Sequence, residues 1–437
     1  MQSNKIKTRF CVLAAGTAII SFAVPQAAQA ASPPFAYTEE KWDSLRDNKL
    51  EYDEIGDLIH EYNSTVLSNQ IAYEDYKGKD SDEVARTYYD TADEIYAGIE
   101  YPDSDDANYG TRLAAAQSSE LQAEQMIDRG DENVTDGDVV KWGYDKTEKS
   151  LVQSAQILMI TYWKSQASLD SSRNAKTTAE KSYETTRLQA AAGTAAQSAV
   201  LSARDAVMQA EAAITSAESA VASAKENLCL MLGWKYGDEV EIGELPEPEP
   251  AMSSSVNLDE DLVKAVENNY DIKILSRQIK NARQGATQRQ YEETLKSSEE
   301  AVKANVKSAW QSLLLAETQY AQTVKSFELE EKTMQAAERK RAAGTMSLNE
   351  YQSRQISYNN AVTEKETAAM TLLEAQQSYR WAVDGRSGID SIRRRQNGDS
   401  QNRRLGGGGS NCFQPPVSVS GEGVRPADIR TSRTGGG

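Results

Sequence analysis

Hydrophobic positions in this chain recur at steps of three and four over unusually long stretches. The clearest run is Val200, Ala203, Val207, Ala210, Ile214, Ala217, Val221, Ala224, Leu228 and Met231. Alternating steps of three and four make a period of 3.5, which predicts a helix supercoiled about a neighbour. Large apolar residues alternate with Ala along this seam, and small residues at every second rung let a neighbouring backbone come close. Upstream, Leu151, Ala155, Leu158, Tyr162 and Leu169 mark the apolar stripe of a second long helix, from about 145 to 191. Between the two stands Ala191-Ala192-Gly193-Thr194. Gly193 suits a left-handed C-cap, and Thr194 with Gln197 has capping-box spacing. The pattern predicts a long antiparallel helical hairpin with a tight turn.

The unit occurs twice. Ala342-Ala343-Gly344-Thr345 repeats the turn, and Ser347 with Glu350 offers a second capping box. Beyond it Tyr351, Tyr358, Lys365, Leu372 and Tyr379 fall where Val200, Val207, Ile214, Val221 and Leu228 fell. The aromatic members read as core. The second arm ends at Asp384-Gly385 as the first ends at Leu232-Gly233, and Val152-Gln153-Ser154-Ala155 is echoed by Val306-Lys307-Ser308-Ala309. A repeat this long is no solenoid module; it reads as a duplicated hairpin. The arms are far longer than ordinary globular helices, so they need further helices beside them, from the other repeat or from other copies of the chain.

The remaining segments divide the chain into five. Residues 1–30 read as a secretory leader, with Lys5, Lys7 and Arg9 before an apolar stretch and Ala28-Gln29-Ala30 as a small-x-small cleavage site. Residues 31–234 hold the first repeat with an acidic insert. Helices are expected near 52–67, 84–99 and 113–127, and one or two short strands within 234–244. Residues 235–256 are a linker stiffened by Pro246, Pro248 and Pro250. Residues 257–385 hold the second repeat, opened by Asn257 and Glu260 and briefly interrupted at Gln284-Gly285-Ala286. Residues 386–437 form a basic, Gly-rich tail without periodicity, expected to be disordered.

Composition narrows the function. The chain has 437 residues and a net charge of −18, which argues against a nucleic-acid partner. It holds one histidine and three cysteines; His60 has no evident partner in sequence, and no disulfide framework is implied. The acidic run 103–110 misses the calcium-loop spacing. Asn63-Ser64-Thr65 and Asn133-Val134-Thr135 fit a glycosylation pattern. No nucleophile–base set, phosphate loop or metal spacing is present, so neither an enzyme nor a bound cofactor is expected.

The duplicated long hairpin, the A-G-T turn at each tip, the helix ends near glycine and the leader together resemble the TolC family of outer-membrane efflux proteins. The likeness is carried by 187–233, 339–385 and the repeat starts near Glu54 and Asp261. It implies an all-α, elongated protomer of a hollow helical cylinder, with little or no β-strand. It also implies a homotrimer that conducts substrates passively in the cell envelope, served by a periplasmic adaptor and an inner-membrane pump. The adaptor would dock on Ala192, Gly193, Thr194, Ala343, Gly344 and Thr345. The sequence departs from the family at the membrane. Two strands of about 9–11 alternating residues per repeat are needed for a barrel. The second repeat offers only 284–290 there, and the first an acidic insert near 100–138 that does not alternate. A structural coiled-coil protein of the envelope is the other reading of the Ala-rich seam.

Overall fold

The computed structural model describes residues 32, 33 and 35–385; the leader and the tail lie outside them. The chain begins with α1 (Glu39–Arg46), the two-residue strand β1 (Lys49–Leu50), α2 (Ile55–Tyr62) and α3 (Ser64–Tyr73). Then come α4 (Ser81–Ala97), α5 (Tyr109–Asp131) and the first long pair, α6 (Gly137–Ala191) and α7 (Gln197–Met231). After β2 (Glu241–Ile242) follow α8 (Leu258–Asn268), α9 (Tyr270–Asn281) and the second long pair, α10 (Gly285–Ala342) and α11 (Leu348–Val383). The fold is all-α; among the described residues the only strands are β1 and β2, paired in parallel.

The long arms exceed the expected length. α6 has 55 residues and α10 has 58, roughly 80–90 Å each at 1.5 Å per residue. α6 starts well ahead of its apolar stripe because Asp136 caps it, its carboxylate accepting from the Val139 N–H. Asp136 is buried and also pairs with Arg277 and Asn281 of α9. A polar contact between the repeats thus fixes where the first long helix begins.

Along α7 the seam is the whole buried surface of the helix's middle. From 200 to 224 every seam residue is shielded and every other residue is exposed. α7 packs on α6, and α10 on α11. α11 also packs on α6, where Lys164 pairs with Glu374 and the Trp381 indole N–H donates to Gln156. The long helices therefore lie in the order α7, α6, α11, α10. Each pair has its own apolar core near the end away from the turn. Val152, Ala155, Met159 and Leu228 pack with α1 and α2 in the first. Val302, Val306, Leu313, Leu372 and Tyr379 pack with Ala265 and Ile272 in the second. The echoed Val-x-Ser-Ala segments sit in these two cores.

A second duplication lies at that end. The α2–α3 and α8–α9 junctions are kinks built on Asn63 and Asn269, with φ/ψ of −73°/123° and −65°/123°. Each side-chain oxygen accepts from two N–H groups of the next helix. Gly233 (φ 97°) and Gly385 (φ 72°) press onto these kinks. A Cβ at Gly233 would lie 2.6 Å from the Tyr62 Cβ, and one at Gly385 2.5 Å from the Asn268 carbonyl. The Asn63 amide donates to the Met231 carbonyl and the Asn268 amide to that of Val383, each just ahead of its glycine.

The structure fills in several local readings and corrects that of His60. Asn63 and Asn133 are buried and their amides donate inside the fold, Asn133 to the Ser81 and Thr135 carbonyls; both sequons are structural. His60 does have a partner, Glu148 of α6, with Nδ1 3.2 Å from Oε1. In the acidic run, Asp106 accepts from the Asn108 N–H and pairs with Arg112, which closes the turn into α5. α5 fills most of the acidic insert near 100–138 and forms a helical hairpin with α4, packed closely enough that a Cβ at Gly130 would strike the Tyr89 ring. Arg283, at the α9–α10 junction, holds it through Asp82 and the Gly130 carbonyl.

Candidate functional site: hairpin tips and open flanks

The two turns close the helices before them with the same backbone hydrogen bonds. In the first, the Gly193 N–H donates to Ala190 (3.0 Å) and the Thr194 N–H to Gln189 (2.8 Å). In the second, the Gly344 N–H donates to Arg341 (3.1 Å) and the Thr345 N–H to Lys340 (2.9 Å). These are the paired bonds of a Schellman motif, with glycine in the left-handed C′ position at φ 74° and 70°. Each threonine hydroxyl donates to the same carbonyl as its own N–H, at 2.9 and 3.1 Å. The expected Thr194–Gln197 capping box is therefore not made: Thr194 closes the helix behind it, and α7 is capped at Ala196 without a side-chain bond. Ser347 does cap α11, accepting from the Glu350 N–H. A Cβ at Gly193 or Gly344 would meet nothing within 4 Å, so both turns present an open surface.

The contact between hairpins fixes where the turns lie. The stretch of α6 from Lys164 to its end at Ala191 is almost equal in length to the stretch of α11 from its start at Leu348 to Glu374. The stretches from Gln156 to Ala191 and from Leu348 to Trp381 match in the same way. The two turns are therefore at one end of the molecule and level within about a helical turn, about 40 Å beyond the Lys164–Glu374 pair. Ala192, Gly193 and Thr194 come together with Ala343, Gly344 and Thr345 in that sense: one end, two separate turns. Their surroundings differ. The first is flanked by exposed Leu188 and has no charge from 188 to 203; the second carries Arg339, Lys340 and Arg341.

The edges of the layer are open. Among the described residues the only long helix that α7 packs on extensively is α6, and the only one for α10 is α11. Leu201 and Met208 project from α7, and Leu315 and Leu329 from α10, all more than half exposed. Leu201 and Met208 are one heptad apart and Leu315 and Leu329 two, so each pair shares a helix face. Met208 lies as far past Gly193 as Leu329 lies before Gly344. The two exposed edges thus carry apolar residues at the same height. A groove of about 1130 Å³ runs between α6 and the α10–α11 pair, lined largely by Ala, Ser and Thr.

Two groups with raised pKa values lie at the other end. Hydrogen bonding to Glu148 raises the His60 pKa against the opposing cost of burial. Burial, then the Asp261 carboxylate that accepts its hydroxyl at 2.8 Å, raises that of Tyr379. Neither group is near the tips. No helix of the described residues is long and apolar enough to cross a membrane.

The molecule so described is a duplicated long-hairpin protein with level tips and unpaired edges. No protein-family model and no curated protein matches the sequence. Among solved structures it is similar to the CmeC outer membrane channel of Campylobacter jejuni, at 10% identity and TM-score 0.45, over 86% of this chain and 97% of that one. It is similar to the outer membrane protein VceC of Vibrio cholerae, at 8% identity and TM-score 0.46, over 76% of this chain and 96% of that one. It is also similar to the open-state MtrE outer membrane channel of Neisseria gonorrhoeae, at 12% identity and TM-score 0.38, over 77% of this chain and 89% of that one. At these identities and TM-scores the likeness carries no function to this chain, and the functional reading rests on the geometry.

Proposed function

We propose that this chain is one third of a passive export conduit of the cell envelope. Three copies close a ring in which the α7 edge of one meets the α10 edge of the next. The observation that supports this most is the pair of open edges with apolar residues at one height, beside helices too long to be covered by their own chain. In this reading the leader directs export. The six turn residues, Ala192, Gly193, Thr194, Ala343, Gly344 and Thr345, receive a periplasmic adaptor served by an inner-membrane pump. The α4–α5 hairpin stands where the family resemblance expects a pair of barrel strands. Attachment to the outer membrane therefore uses another device than a barrel built from both repeats.

Cysteines at Met208 and Leu329, in a chain with Cys412→Ser, test the ring directly. α7 and α10 lie at opposite edges of the layer, so a bond between them links copies. Oxidation is expected to give a covalent trimer and no larger ladder. The structural coiled-coil reading gives no 208–329 product, or open-ended multimers.

A further inference from the structure

The proline connector is a strap across the junction of the two inner helices, α6 and α11. It begins at Gly243, just past β2, whose carbonyl accepts from the Trp163 indole N–H of α6 at 3.0 Å. It reaches α11 at Glu249. There the Glu249 N–H donates to Gln376 Oε1 at 3.1 Å, and the Gln376 amide donates back to the Glu249 carbonyl. The Glu249 carboxylate pairs with Arg380 at 2.7 Å, and Gln376 is buried. Between these two fixed points run only Glu244-Leu245-Pro246-Glu247-Pro248. Each proline holds the residue before it extended, so the course of the strap is set before any ligand arrives.

Beside the strap lies a cavity of about 460 Å³. Its walls are largely apolar: Trp163 of α6, Leu245 and Pro246 of the strap, Met370 and Leu373 of α11. Its charges are all of one sign. Asp170 of α6, Glu244 and Glu247 of the strap and Glu366 of α11 line it, and no lysine, arginine or histidine does. Asp170 has an exposed partner in Arg173; among the described residues the other three form no ion pair. Carboxylates from three stretches of chain thus converge on one apolar hollow, where like charges repel and an aromatic wall attracts a cation. We propose that this cavity binds a hydrophobic organic cation, its charge among the four carboxylates and its apolar body against Trp163, Met370 and Leu373. The volume falls in the range of about 300–1,000 Å³ usual for small-molecule sites. With the strap pinned at both ends, little is left to order on binding. The cavity stands about 30 Å short of the turns, and no residue of α7 or α10 lines it, so binding there does not require the ring.

Tetraphenylphosphonium and tetraphenylborate have the same shape and opposite charge, and calorimetric titration of the purified full chain with each is the test. The phosphonium is expected to saturate a single site, and the borate to bind at least about 10-fold more weakly. Glu244, Glu247 and Glu366 are exposed, so neutralising all three (Glu244→Gln, Glu247→Gln, Glu366→Gln) leaves the fold intact. That variant should weaken phosphonium binding by about 10-fold or more, since one exposed pair is worth up to about 5-fold. Asp93→Asn, Glu94→Gln and Asp105→Asn remove the same charge from exposed positions on α4 and the loop after it, and should change binding by less than about 2-fold, because distant charges are screened. Met370→Arg puts a tethered cation against the same walls and should weaken binding as much as the triple Gln variant. Equal binding of the two ions, no phosphonium binding, equal losses in the two triple variants, or full binding in Met370→Arg overturns the site.

Discussion

α7 and α11 hold the same place in the two repeats, follow the same turn and end at the same kind of glycine, yet they are buried differently. Leu230 of α7 is 47% exposed; Trp381, at the matching position of α11, is 2% exposed. Ala222 is exposed where Leu373 is buried. The sequence of α11 is apolar on two sides because it has two neighbours, α10 and α6. α7 buries one side because it has one neighbour within the chain, and its other apolar residues, Leu201 and Met208, stay on the open edge. Duplication did not make the halves equivalent: the second arm of one repeat became an inner helix and that of the other an edge.

The largest expected difference tests this directly. Trp381→Ala should destabilise the protomer by about 3–5 kcal/mol, as buried aromatic truncations do. Leu230→Ala should stay within about 0.5 kcal/mol. Denaturant unfolding of both variants measures the contrast, and equal losses would break it. Next come the glycines at the two ends of one arm. Gly385→Val must force a side chain into the Asn268–Asn269 backbone at unfavourable φ, costing about 3 kcal/mol or more. Gly344→Val has the unfavourable φ but open space, so about 1–2 kcal/mol is expected. The tip variant should fold and lose adaptor recovery in a pull-down; unchanged recovery would count against docking there.

Smaller still is the tie that makes α11 an inner helix. Lys164→Ala should cost at most about 1 kcal/mol, because the Lys164–Glu374 pair is partly exposed. The loss should vanish in a Glu374→Ala background, a cycle that denaturation can close. The smallest effect is a pH dependence confined to the first base. Glu148 raises the His60 pKa, so this contact stabilises fully below the ordinary value near 6.5 and fades as pH rises through the folded value. Melting between about pH 5.5 and 8.5 should show a component that His60→Ala removes.

Much of this was legible in the chain, for physical reasons. The seam from Val200 to Met231 is legible because a helix with one neighbour writes its contact as a single 3.5-residue stripe. The left-handed glycines at 193 and 344 are legible because so few residues tolerate that conformation. The six proposed docking residues could be located as turns, but their equal height could not, since it depends on Lys164 meeting Glu374 across 210 residues. Thr194 misled because a threonine after glycine serves a helix start or a helix stop with the same hydroxyl. The Asn63 and Asn269 kinks passed unseen: one looked like a sequon, and the other stood inside a continuous apolar pattern. The partner of His60 is 88 residues away, on a helix whose start is set by Asp136 and the other repeat.

Whether sister copies cover the α7 and α10 edges is decided most directly by the mass of the purified mature chain in solution, measured by light scattering. A particle of three chains is the predicted result; a monomer with its edges bare, or a two-chain coil, would contradict it.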